Sequence, residues 1–399
     1  MQQDELHDDN NGGRQDAGCD ASPDKVSYID TNAQAAQYDN DAMTLLQARL
    51  EEEPGNGELW GKLGALYFHR GDLSQALDAY NEAVRLAPAR AWLWNNRGLV
   101  LADLHHFDQA VASFDHAYNL NPELTVALSS KGDTLIDQGR YHEALKTLEL
   151  VVQQDPSLAA AWNNLGRAQS YLTHHQDAIH AFTTATQLDP RYATAWNNLG
   201  SALFDVKRYP DALQTYAKAL QFEPNNPRAI FGKAQALHNV QQYGEAIALY
   251  QRAIQLDQHV GRAWMNIAFA QLKCQRYTEG LEAVERALAL RPHVAAGWRC
   301  KGRCLMELGR DEEAIEAIER SLTEDGTVAE VWVIKGLLLI RLRRPADALI
   351  AYDRALELDP QERRAIYGRI IALRDMGQRR QMWREIGQEV RRQIKRLRH

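Results

Sequence analysis

Cysteine is scarce in this chain. Four occur in 399 residues, at Cys19, Cys274, Cys300 and Cys304, too few and too unevenly placed for a disulfide framework. No apolar run approaches the length a membrane-spanning helix needs. The opening stretch MQQDELHDDNNGGRQD is acidic and polar; it lacks the basic and apolar parts of a secretion signal, so cytoplasmic residence is expected. Excess positive charge is missing too. The formal net charge is −7, and nothing in that balance invites DNA. Catalytic signatures are absent: there is no GxxxxGKS/T, GxGxxG, HExxH or GxSxG. Large apolar residues are nearly absent from residues 1–24, and such a segment buries too little surface to offset chain entropy, so a disordered acidic tail is expected there.

What the chain does have is a period. Trp60, Trp94, Trp162, Trp196, Trp264, Trp298 and Trp332 are separated by 34 residues or by twice that. In the same register, position 20 reads Ala42, Ala76, Ala110, Ala144, Ala178, Ala212, Ala246, Gly280, Ala314 and Ala348. A fixed period of this size marks a stacked array in which each repeat contacts mainly its neighbours. From Gly57 the register runs without insertion through Glu362, which is nine repeats. Repeat one is GELWGKLGALYFHRGDLSQALDAYNEAVRLAPAR. Its apolar residues at positions 4, 7, 8 and 11, then 20, 24 and 27, have helical spacing. Gly71, Gly139 or Gly309 marks the turn between the two helices. Pro210 and Pro345 fall at the start of the second helix, where a missing N–H costs least. Proline at position 32 ends that helix in Pro54, Pro88, Pro122, Pro156, Pro190, Pro224, Pro292 and Pro360. Each repeat is therefore two antiparallel helices, A and B, and the fold class is all-α.

The signature resembles the tetratricopeptide repeat family. In repeat one it is carried by Trp60, Leu63, Gly64, Ala76, Tyr80, Ala83 and Pro88. The resemblance implies an α-solenoid, a right-handed superhelix of stacked helix pairs that binds protein rather than performing chemistry. Sterics gives the same signature a reason. Positions 8 and 20 are where helices A and B come closest, so only Gly or Ala fits, and aromatics at 4 and 24 fill the space around them. Departures such as Arg97 and Lys131 at position 7, Ala234 and Ala268 at position 8, and Gln258 and Gly326 at position 32 are expected to loosen local packing without breaking the register.

The ends differ from the middle. Residues 25–56 read as a degenerate capping repeat. Residues 363–399 read as a partial tenth repeat and a basic capping helix, with Trp383, Ile386, Val390, Ile394 and Leu397 spaced to cover the apolar end of repeat nine. Residues 1–56 hold 13 Asp/Glu against 3 Lys/Arg, and residues 363–399 hold 12 Lys/Arg against 3 Asp/Glu. That asymmetry makes interaction tails a reading to weigh. Arg379, Arg380, Arg384, Arg391, Arg392, Lys395, Arg396 and Arg398 admit contact between the C-terminal helix and an anionic membrane or RNA, or a solvated cap.

Function should lie on the face that stacking leaves open. On a helical wheel, positions 2, 6, 9 and 13 of helix A fall roughly 140–200° from positions 4, 8 and 11, and in solenoids such a face lines the groove. Position 6 carries Asn96, Asn164, Asn198 and Asn266. An amide can accept from a backbone N–H and donate to a C=O, so this broken ladder suits an extended or helical protein segment. It resembles the asparagine ladder of the repeat superhelix in O-linked N-acetylglucosamine transferases, but no transferase domain follows here. Charge on the face is graded. Acids predominate in repeats one to five (Glu58, Asp103, Asp133, Asp137 and Asp205, against Lys62 and Arg167) and bases in six to nine (Arg228, Arg262, Lys273, Arg303 and Arg341, against Glu307 and Glu330). Trp92, Tyr171 and Phe269 are candidate anchors, because aromatics dominate binding hot spots. The Lys/Asn–Asn–Lys/Arg clamp that holds chaperone tails in this family is not matched, since position 6 never holds Arg. Adjacent histidines His105–His106 and His174–His175 fall in polar turns, and Cys300 and Cys304 read as buried or half-buried thiols rather than ligands. No cofactor, metal or catalytic residue is expected. The chain reads as a protein-binding scaffold or adaptor, or as a targeting subunit of a larger enzyme complex.

Overall fold

The computed structural model describes residues 33–256 and 261–397, with side chains over 41–256 and 261–388. Among these residues there are twenty-one α-helices and no strand. The expected acidic tail, residues 1–24, lies outside the described residues, as does Gln258. The chain divides into two compact bodies between Glu223 and Pro224.

The first body holds α1 (Ala33–Glu52), α2 (Gly57–Arg70), α3 (Leu73–Leu86), α4 (Ala91–Asp103), α5 (Phe107–Leu120), α6 (Thr125–Asp137), α7 (Tyr141–Gln154), α8 (Ala159–Tyr171), α9 (His175–Leu188), α10 (Ala193–Asp205) and α11 (Tyr209–Phe222). The second holds α12 (Pro227–Asn239), α13 (Tyr243–Leu256), α14 (Gly261–Lys273), α15 (Tyr277–Leu290), α16 (Ala295–Glu307), α17 (Asp311–Glu324), α18 (Ala329–Arg341), α19 (Pro345–Leu358), α20 (Arg363–Asp375) and α21 (Arg379–Leu397). From α2 onward even numbers are helices A and odd numbers helices B, and the 34-residue register is kept throughout. The all-α, stacked-hairpin class expected from the sequence is the class observed. At the N-terminal end α1 is a single helix of 20 residues, running straight through Gln37, where a repeat would place its A–B turn.

The turn inside each repeat is fixed by backbone geometry. Position 15 is left-handed in all ten helix pairs. Four of these residues are glycine, Gly71, Gly139, Gly309 and Gly377, with φ of 72–79°. The other six are His105, Thr173, Lys207, Gln241, Gln275 and Arg343, with φ of 59–64°. Each turn closes with a 6→1 hydrogen bond, as from the Asp72 N–H to the Tyr67 carbonyl at 2.9 Å and from the His174 N–H to the Gln169 carbonyl at 2.9 Å. This is the Schellman arrangement, and it satisfies carbonyls the helix end would otherwise leave bare. Glycine stands at four of these turns; the structure imposes one conformation on all ten.

Packing inside each pair follows the small-residue signature. A Cβ added at Gly98 would lie 2.6 Å from the Phe114 ring, and at Gly166 2.7 Å from Phe182. Only hydrogen fits there. The opposing alanines Ala76, Ala110, Ala144 and Ala178 are fully buried. Gly280 is the one glycine at position 20, and a Cβ there would meet the Cys304 sulfur at 3.2 Å. The tryptophans at position 4 do more than fill space. Trp60, Trp94, Trp162, Trp196 and Trp298 each donate an indole N–H to the carbonyl of the proline six residues earlier, at 2.7–3.1 Å. Trp332 makes the same bond to Gly326 at 2.9 Å. The indole thus latches the loop between repeats, a duty phenylalanine could not perform because it has no donor.

Position 7 overturns an expectation. Its basic residues do not loosen the stack. Lys131 pairs with Asp115 at 2.6 Å, Lys301 with Glu285 and Lys335 with Glu319 at 2.8 Å, and Arg369 with Asp353 at 3.0 Å. Arg97 donates to Asn81 at 2.8 Å and to Ser113 at 2.7 Å. The four ion pairs and the Arg97–Asn81 bond tie helix A of one repeat to helix B of the repeat before it, while the Arg97–Ser113 bond joins the two helices of one repeat.

Candidate functional site

Successive helices A touch one another within each body: α2, α4, α6, α8 and α10 in the first, and α12, α14, α16, then α18 and α20, in the second. Positions 5, 6, 9 and 13 sit on this layer. In the first body, positions 5 and 6 form paired polar columns: Asn95 and Asn96, Ser129 and Ser130, Asn163 and Asn164, Asn197 and Asn198.

The four predicted asparagines have separate fates. Asn96 is hydrogen-bonded to the Tyr80 hydroxyl and accepts from Asn95 Nδ2 at 3.2 Å. Burial pushes the Tyr80 phenol up to about 12, with the Asn96 bond acting the other way. Asn266 is held in the same manner by Tyr250, whose phenol burial also raises. Asn164 is only 3% exposed, and its Oδ1 accepts from Arg167 at 3.2 Å. Asn198 is half-buried and donates to Asn163 Oδ1 at 2.9 Å, bridging α8 and α10. The column is therefore largely knitted into the wall. Yet two buried acceptors, Asn95 Oδ1 and Asn197 Oδ1, find no hydrogen-bond partner, and such orphans are uncommon in folded proteins.

Arg167 is the electrostatic centre of this face. Its guanidinium reaches across from α8 to Asp133 on α6 in a short charge-assisted contact, and to Asp137 at 3.3 Å. Asp133 is 7% exposed. Burial alone would lower the Arg167 pKa, but the two carboxylates more than offset it and hold the group above its ordinary value. Beside this cluster Tyr171 stacks on Tyr141, with ring centroids 4.5 Å apart and planes 10° apart. Asp103 ends α4 and Asp205 ends α10, at the position Asp137 takes on α6. Trp92 is half-buried, its indole lying against the Gly61 backbone of α2.

The second body's layer is different. Position 6 there reads Gly232, Asn266, Cys300 and Ile334. Phe269 and Arg303 are half-buried. Arg341 is tied to Asp311 at 2.9 Å and to the Met306 carbonyl at 3.2 Å. Cys300 and Cys304 are both fully buried, as expected. The Cys300 thiol, hydrogen-bonded to Cys304 and buried, is pushed well above its usual range. No group of three or more metal-binding side chains occurs among the described residues. The charge gradient weakens on inspection, because Glu58 pairs with Arg90 at 2.7 Å, in addition to the pairs of Arg167 and Arg341.

Sequence reasoning missed three signals that are visible in hindsight. Tyr80 and Asn96, like Tyr250 and Asn266, are 16 residues apart. So are the acids at position 25 and the bases at position 7 of the next repeat. Every latching tryptophan follows its carbonyl by six.

Comparison with known proteins settles the family. Profiles described as Tetratricopeptide repeat match residues 93–124, 164–227, 208–261, 237–299, 270–329 and 329–362. A profile described as TPR repeat matches 64–104 and 132–170. The chain belongs to the tetratricopeptide repeat family. Protein-interaction scaffolding is the business of that family, and protein partners follow from membership. No curated protein matches the sequence. Among solved structures, YrrB, described as a TPR protein with an unusual peptide-binding site, is 22% identical with a TM-score of 0.43, covering 47% of this chain and 97% of its own. A tetratricopeptide repeat protein from Parabacteroides merdae is 18% identical with a TM-score of 0.45, covering 62% and 98%. The APC/C hetero-tetramer Cut9–Hcn1 is 15% identical with a TM-score of 0.46, covering 86% and 94%.

Proposed function

We propose that this TPR protein is a non-enzymatic adaptor of the cytoplasm, and that the helix-A face of its first body holds an extended protein segment. The observation that carries the reading is the pair of buried, unsatisfied acceptors, Asn95 Oδ1 and Asn197 Oδ1. A buried acceptor left unmade costs on the order of 1–3 kcal/mol, and a turn of the amide toward the backbone N–H of a bound segment would recover it. Asn95 on α4 and Asn197 on α10 are three helix-A spacings apart; at roughly 8–10 Å per spacing, a strand rising about 3.3 Å per residue spans them in about eight or nine residues. Asn198, Asp103, Asp205 and the Tyr141–Tyr171 stack line the same face, which suits a segment that also carries basic side chains. Asn96, Asn164, Asn266, Arg167 and Arg341 serve the wall itself, while Phe269 and Arg303 belong to a face with fewer amides. A fluorescence-labelled peptide library, followed by Asn95→Ala with Asn197→Ala, tests this. About tenfold weaker binding is expected from two lost hydrogen bonds; unchanged affinity removes the amides from the mechanism.

A further inference from the structure

Position 21, the second residue of the stacking side of helix B, has a consistent environment in this fold. It is Leu77, Val111, Leu145, Ile179, Leu213, Ile247, Leu281, Ile315 and Leu349 in the nine repeats, always apolar and always buried or half-buried. Leu77 packs against Leu101, Ala102, Ala110 and Phe114 of the following repeat. In α21 the same position is Trp383, and it is 65% exposed. The largest side chain in the column is thus the one left in solvent, contrary to the expectation that it would cover the end of repeat nine. Its neighbours Met382 and Ile386 are half-buried, and Glu385 pairs with Arg369 of α20 at 3.6 Å, so α21 is seated on α20 with the indole facing away from the contact.

Around Trp383 stand Arg379, Arg380 and Arg384, all exposed. Over residues 379–399 the sequence holds eight Lys/Arg and two Asp/Glu. An indole prefers the headgroup level of a bilayer, where its ring meets apolar chains and its N–H meets water. Clusters of four to eight Lys/Arg on an amphipathic helix suit anionic lipid. An RNA would be served by the arginines but gives no reason for a single outward tryptophan among them. No described helix is long and apolar enough to cross a membrane. We propose that α21 docks on an anionic lipid surface, with Trp383 entering the interface and the arginines meeting the headgroups. The contact uses no residue of the helix-A face of the first body, so the inference does not rest on the adaptor reading.

The test is flotation of the full chain with phosphatidylcholine vesicles, with and without phosphatidylserine, at low and at physiological salt, alongside a single-stranded RNA. Binding to the phosphatidylserine vesicles alone, weakened by salt, is expected. Arg379→Glu with Arg380→Glu and Arg384→Glu should lose at least 100-fold, since each reversal replaces attraction by repulsion. Trp383→Ala should bind about tenfold more weakly while Trp383→Phe retains most of the affinity. These side chains are exposed, and an unchanged circular dichroism melt shows that each variant is folded. The proposal is overturned by absence of vesicle binding at low salt, by equal binding to phosphatidylcholine alone, by RNA binding without vesicle binding, or by a Trp383→Ala variant that floats like the wild type.

Discussion

The two bodies share one register yet spend their polar residues in different places. Up to Glu223, polarity is invested in the helix-A face: amide pairs at positions 5 and 6, and an arginine bridging two aspartates across adjacent helices. Beyond Pro224 position 6 reads glycine, asparagine, cysteine and isoleucine, and the seam between repeats, paired in the first body at Arg97 and Lys131, carries three successive ion pairs at Lys301, Lys335 and Arg369. In the first body the middle of this seam is apolar, with Leu165 and Leu199 at position 7. Stacking tolerates either solution, because the small residues at 8 and 20 and the indole latches set the spacing in both. What differs is the chemistry left facing outward.

The sharpest way to break the comparison is at Arg167. Arg167→Ala leaves Asp133 buried without a counter-ion, and breaking a buried pair costs about 3–5 kcal/mol. Urea denaturation should show that loss in the first body while the second unfolds as before; a loss under 1 kcal/mol would mean the aspartate finds water or protonates cheaply. Next comes Gly166→Ala, whose added methyl meets the Phe182 ring and should cost about 1–3 kcal/mol. The second body carries alanine at this position in Ala234 and Ala268, so Ala234→Gly should instead lose only about 0.5–1 kcal/mol from chain entropy. The latches should behave alike in both bodies. Trp196→Phe and Trp298→Phe each remove one hydrogen bond, worth about 1 kcal/mol, and unequal losses would show that the bodies use the latch differently. A gain is expected at Thr173, a β-branched residue at φ 62°. Left-handed backbone costs such residues roughly 1–2 kcal/mol, so Thr173→Gly should raise stability by up to about 1 kcal/mol once glycine's entropy is set against it. The smallest effect belongs to the second body's seam. Lys335→Ala breaks a pair whose acid is 54% exposed, worth about 0.2–1 kcal/mol and shrinking with salt.

Much of this fold was legible because it repeats. A 34-residue comb exposes any requirement that recurs at one position, which is why the close approach at positions 8 and 20, the helix boundaries and the proline breaks could be read from spacing. Requirements linking two positions were harder to see. The Lys131–Asp115 pair and the Tyr80–Asn96 bond each join residues 16 apart in different repeats, and either partner alone looks like ordinary variation. Left-handed turns went unread wherever glycine was replaced, since His105 or Lys207 gives no outward sign of a positive φ. The candidate face was placed by the helical wheel, but the wheel cannot tell an amide that waits for a ligand from one that already serves Tyr80 or Arg167. That distinction needs distances.

The indole latch carries a consequence for how such a chain can change length. Its donor and acceptor are six residues apart, with the carbonyl on the loop and the indole one turn into the next helix. One inserted residue would swing that ring about 100° around its helix axis and part the bond, and the two-residue turn at position 15 is equally intolerant. Both joints of the six latched hairpins therefore penalise small insertions and deletions, whereas adding or removing a full copy leaves each joint intact. A ruler of this kind grows by whole divisions only.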